Sequence, residues 1–131
     1  MASPRPDERG QSLSALVAVV LLALFLVTGL VVDGGRQVAA AREAEAGAAQ
    51  AARAAADEST VARAAGAPSD LGAVRAAGQR VLAERGLAGD VRIEGGQIHV
   101  RAETRSPTVF LSVLGIGSVG GSGEATASLL D

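Results

Sequence analysis

The stretch Leu13–Val32, LSALVAVVLLALFLVTGLVV, decides how this chain folds, because its twenty residues carry no charge. Coiled as a helix it spans ~30 Å, the thickness of a bilayer's hydrocarbon core. A cleaved signal peptide has a shorter apolar stretch, ~7–15 residues, ending at small residues. This run is longer, and Asp33 and Arg36 follow it directly. The expectation is therefore a retained anchor, although Ala39-Ala40-Ala41 has the small residues that a cleavage site needs. Orientation stays open at this point. Arg5 and Arg9 precede the span and Arg36 and Arg42 follow it, so the positive charges that orient a span are nearly balanced.

Composition limits what surrounds the span. A chain of 131 residues has room for an anchor and one modest domain. Its 48% hydrophobic fraction is largely alanine and the apolar run, and Phe25 and Phe110 are its two aromatic residues. With a net charge of -2 there is no basic surplus to hold phosphates, which argues against a nucleic-acid partner. The absence of cysteine excludes disulfides and thiolate metal sites.

From Asp33 to Ala65 alanine alternates with Arg, Glu and Gln, all strong helix formers. Gly34 and Gly35 read either as a joint at the membrane surface or as glycines tolerated within a long helix. Ala40, Ala44, Ala48, Ala52 and Ala56 recur at every fourth position, one of the ridges along which helices pack. The segment reads as a solvated stalk or as a stalk that packs laterally on other helices through that ridge. Gly66-Ala67-Pro68 ends it, since proline cannot continue the hydrogen-bond ladder.

A second helix follows, capped by Ser69 or Asp70 and stopped by Gly86, with Leu71, Val74, Gly78, Val81 and Leu82 along one stripe. Asp90–Glu94 and Gln97–Arg101, separated by Gly95-Gly96, read as a hairpin with a two-residue turn. That turn sets Ile93 opposite Ile98, Val91 opposite Val100, Arg92 opposite His99 and Asp90 opposite Arg101. One register thus gives one apolar and one polar face, and that agreement fixes it. Ser106-Pro107 reads as the start of a short helix over Val109–Leu114 ending at Gly115, with a strand as the competing assignment. After a glycine-rich turn, Glu124–Leu130 alternates as a last strand.

No chemistry can be assembled from this inventory. Gly115, Gly117 and Gly120 spell a dinucleotide fingerprint, but eleven residues remain after Gly120 and they alternate like a strand, so no helix is left to meet a pyrophosphate. His99 is the single histidine and reads as a surface residue, without the partners of a metal site or a catalytic base. No enzyme, cofactor, metal site or small-molecule substrate is visible.

The order of features resembles the TadE/TadG-like proteins of the tight-adherence (Flp) pilus machinery. Arg9-Gly10 precedes the span, Asp33-Gly34-Gly35-Arg36 follows it, and an alanine run from Ala48 to Asp57 comes next. A hairpin, a stretch with Pro107 and Phe110 ending in Leu114-Gly115-Ile116, and the small-residue strand at Ala125-Thr126-Ala127 complete the likeness. The pilin-like members carry a glutamate five residues after the processing-site glycine, where this chain has Ala15. That departure favours a retained anchor of the TadG-like sort over a processed filament subunit.

The resulting expectation is an α+β chain. It has a short cytoplasmic tail over 1–12, a transmembrane helix over 13–32, an alanine-rich stalk over 33–67 and an extracytoplasmic α-β-β-α-β head over 68–131. The resemblance implies a non-enzymatic, pseudopilin-like or accessory component of pilus assembly or secretion, with its N-terminus cytoplasmic. Its partners would be the bilayer and other pilus-assembly or pilin-like proteins, met through the ridge Ala40, Ala44, Ala48, Ala52 and Ala56. The alternatives are a membrane-tethered or secreted ligand-binding module and an accessory subunit of an unrelated membrane complex.

Overall fold

A computed structural model describes residues 7–129. Part of the expected tail, and Leu130 of the expected last strand, lie outside the described residues. The architecture is α+β. A single helix, α1 (Asp7–Ala64), runs for 58 residues, or ~87 Å. It leads to α2 (Leu71–Glu84) and to an antiparallel sheet of β1 (Ala88–Glu94), β2 (Gln97–Pro107) and β3 (Ser118–Ser128), with β2 in the middle. A short 3-10 helix (Leu111–Leu114) lies in the connection between β2 and β3.

α1 passes through Gly34 and Gly35 without a break, so these glycines are tolerated in a continuous helix and form no joint. It stops where Gly66 takes φ 71° and Pro68 follows. Asp70, not Ser69, caps α2 by accepting the Gly72 amide at 2.8 Å. Gly86, at φ 68°, provides the left-handed residue that ends α2.

The hairpin has the expected register, with Ile93 opposite Ile98, Val91 opposite Val100, Arg92 opposite His99 and Asp90 opposite Arg101. β2 runs six residues further than Arg101, to Pro107, so Ser106-Pro107 ends a strand and does not open a helix. β3 begins at Ser118, and the glycines expected to form a turn, Gly120, Gly121 and Gly123, are strand residues paired with Arg105, Thr104 and Ala102.

One face of the sheet lies against α1 and α2 and builds the core. Val91, Ile98, Val100 and Ala102 are buried there with Val74, Leu82 and Leu87, and with the alanines of α1. The core-facing side chains of β3 shrink toward the apolar end of α1, from Ala125 to Gly123 and Gly121, which pair with Val100, Ala102 and Thr104. That taper lets the β3 backbone lie directly on the helix. A Cβ at Gly123 would collide with the backbone of Ala44 and Glu45, and one at Gly121 with the backbone of Ala40 and Ala41. In the same way Gly47 leaves room for Leu87, and Gly78 for Val91. Methyl groups and glycines hold the layers together by close approach, because each methyl buries little area alone.

Candidate functional site

The candidate site forms where α1 leaves its apolar segment. Asp33 is 1% exposed although it directly follows Val32. Its carboxylate accepts three backbone amides from the β2–β3 connection. Oδ1 takes Val109 N–H at 2.9 Å, while Oδ2 takes Phe110 N–H at 3.0 Å and Leu111 N–H at 2.7 Å. These are the amides at the start of the 3-10 helix, whose N-cap residue, Phe110, makes no side-chain cap of its own. The missing cap comes from a residue far earlier in the chain, and its negative charge suits the positive end of the turn. Arg36, one helical turn on, donates from Nη1 to the carbonyl of Pro107 at 2.7 Å. Asp33 and Arg36 together hold both the amides and the neck of one connection.

Those amides set the electrostatics. The Val109 N–H, with the Leu111 and Phe110 amides and the Arg36 charge, holds the Asp33 carboxyl below its ordinary 3.8, while burial pushes the other way. Hydrogen bonds to the ionised form win.

A second contact lies lower on the helix. Phe110 packs over Gly29, where a Cβ would come 2.7 Å from the Phe110 Cβ. Its ring meets Phe25 edge-on, with centroids 5.1 Å apart, an arrangement worth about 0.5–1.5 kcal/mol beyond the area it covers. The connection also bonds to itself. Thr108 N–H donates to the Gly117 carbonyl, the Val113, Gly115 and Ile116 amides donate to Phe110, Ser112 and Leu111, and the Thr108 hydroxyl donates to the Ile116 carbonyl. The expected short helix over Val109–Leu114 is thus a single 3-10 turn over Leu111–Leu114, ended by Gly115 at φ 84°. It is docked by Asp33 instead of being capped at Ser106.

Of the boundary motif Asp33, Gly34, Gly35 and Arg36, the two charged residues make these contacts, while the glycines face open space. The ridge has another fate. Ala40, Ala44, Ala48 and Ala52 are buried and Ala56 is half-buried, all inside this chain. Within this chain β3, β2 and α2 cover the ridge expected to meet partner helices, and methyl groups opposite glycines allow close packing there. The exposed stalk surface lies elsewhere, at Val38, Arg42, Ala46 and Arg53. His99 is exposed on the outer face of the sheet near Thr126. Gly115, Gly117 and Gly120 belong to the connection and to β3, and among the described residues no helix follows them.

Residues 10–58 match the family model of putative Flp pilus-assembly TadE/G-like proteins, which bears out over that segment the resemblance seen in the sequence. The matched segment contains the apolar run, the Asp33–Arg36 motif and the whole alanine ridge. Among the described residues α1 is the one helix long and apolar enough to cross a membrane, which fits a single-pass anchor. Neither a curated protein nor a solved structure is significantly similar to the chain.

Proposed function

From the TadE/G-like match over residues 10–58, we propose that this chain is a membrane-anchored, non-enzymatic component of Flp pilus assembly or secretion, acting through contacts with partner proteins. Its N-terminus is cytoplasmic, and α2 and the sheet stand on the extracytoplasmic side. Ala15, in place of the glutamate of pilin-like members, favours a retained accessory anchor over a filament subunit. The observation that carries the reading is the Asp33–Arg36 motif. It lies inside the matched segment, and its two charged side chains fasten the downstream sheet to the membrane end of α1. A head tied down in this way keeps a fixed height and direction above the bilayer, as a scaffold for other membrane-bound parts requires.

With the alanine ridge covered from within, the surface left for partners on the stalk is the opposite side of α1. Cysteines placed singly at Val38, Ala46 and Arg53, all exposed, test this in cells that assemble Flp pili, and the chain has no native cysteine to interfere. The expected outcome is crosslinking to pilus-assembly proteins from at least one of these positions, and none from cysteines at the buried Ala44 and Ala48. If all three exposed positions stay uncrosslinked, the assembly reading should give way to a tethered ligand-binding module.

A further inference from the structure

The β2–β3 connection has properties that holding a sheet in place does not require. From Ser106 to Gly123 the chain runs eighteen residues without a charge, between Arg105 and Glu124. At its tip Val113 is 77% and Leu114 67% exposed, with Val109 and Ile116 about half exposed. Its depth is fixed by its contacts. Phe110 rests on Gly29 and Phe25, which precede Asp33 by four and eight residues, or ~6 and ~12 Å along the helix axis. The tip therefore lies beside the apolar span, below the level of Asp33. Leu26 and Leu30 of the span and Val113 and Leu114 of the tip line one continuous apolar groove.

We propose that this connection is a second membrane contact: a wedge seated in the leaflet on the Asp33 side, with Val113 and Leu114 among the acyl chains. The inference rests on the reading of α1 as a membrane anchor and adds to it. Non-helical backbone is tolerated at membrane depth where it packs on protein and its polar groups find partners there. Here Asp33 takes the amides of Val109, Phe110 and Leu111, and internal bonds take those of Thr108, Val113, Gly115 and Ile116. The carboxylate at the end of the span thus has a reason beyond marking the boundary: it makes the turn beside it fit to enter lipid. Lipid is the occupant of choice because the patch continues the span's own lipid-facing surface at the same depth and offers no charge for a protein partner to recognise.

The test uses the full chain in phosphatidylcholine–phosphatidylglycerol vesicles, with a fluorophore on one introduced cysteine. Quenching by brominated acyl chains is compared with quenching by aqueous iodide at Val113→Cys, at Leu22→Cys within the span and at Arg92→Cys on the outer sheet face. The proposal predicts that Val113 behaves like Leu22, quenched by the lipid and lost to iodide. A Val113 label reached by iodide as readily as the one at Arg92, with Leu22 still quenched by lipid, overturns the wedge and leaves the anchor standing. Iodide reaching Leu22 overturns the anchor reading, and the wedge with it. A Val113 label shielded from both quenchers, with unlabelled Val113→Cys protein oxidising to disulfide dimers in the same vesicles, overturns the wedge in favour of a second copy. Leu114→Cys gives the same readout independently, should the change at Val113 disturb the turn.

Discussion

A single methyl group added at Gly123 is expected to detach the sheet from the helix. The β3 backbone lies on α1 closely enough that this Cβ would fall on the backbone N and Cα of Glu45 and 2.5 Å from the carbonyl carbon of Ala44. None of these atoms belongs to a flexible side chain that can swing away. Overpacking a core typically costs about 1–3 kcal/mol, and a collision with the helix backbone at two consecutive residues belongs at the top of that range. For a head with a small core that is a large share of its total stability. Thermal unfolding of Gly123→Ala in detergent, followed by circular dichroism, should show the strand signal melting well below the helix signal of α1. Gly117→Ala is the control: a Cβ there has open space around it, so its melting should match the native chain. Equal stability of the two variants would mean that β3 does not rest on α1.

The second large effect is expected at Asp33. Asn at this position keeps the shape but has one acceptor oxygen and no charge, where three amides now converge on two. The amides left unpaired favour release of the turn, carrying Phe110 off Gly29. Cleavage by chymotrypsin at Phe110 and Leu111 in detergent should accelerate by at least about tenfold, the factor that one hydrogen bond to an ionised group already represents. Acid should act in the same direction. The folded state holds the Asp33 carboxyl below its ordinary 3.8, so its contribution is complete above that value and is lost as pH falls through the lower folded one. Cleavage of the native chain should therefore rise in strong acid when probed with an acid-active protease, while that of Asp33→Asn changes little across the same range. A native turn as labile as the variant's would show that Asp33 holds nothing.

The features the sequence reveals best are those whose physics is local. The hairpin register follows from period-two alternation around Gly95-Gly96, and the anchor from an uncharged run of bilayer length. The C-terminal end of α1 follows from Gly66 and Pro68, and the bounds of α2 from a cap at Ser69 or Asp70 and from Gly86. What stays hidden depends on partners distant in the chain. A ridge of alanines looks the same whether a neighbouring protein or this chain's own sheet covers it. The glycines at 120–123 read as a turn because glycine is depleted in strands. Yet glycine inside a strand also marks close approach by another backbone, and that signal, set beside a ridge of methyl groups, pointed to the β3–α1 contact. Asp33 was recognisable as a motif residue but not as a cap, because its partners lie more than seventy positions away. The clue was reciprocal: a carboxylate just past a span, and a turn at Phe110 with no capping side chain nearby.

Amide hydrogen exchange of the native full chain in lipid nanodiscs tests the joining of head and anchor most directly. If the Asp33 carboxylate binds the β2–β3 connection to the end of the span, the Val109, Phe110 and Leu111 amides exchange as slowly as those of β2 at Ile98 and Val100. Exchange of those three amides at the rate of an open loop, with β2 still protected, would contradict it.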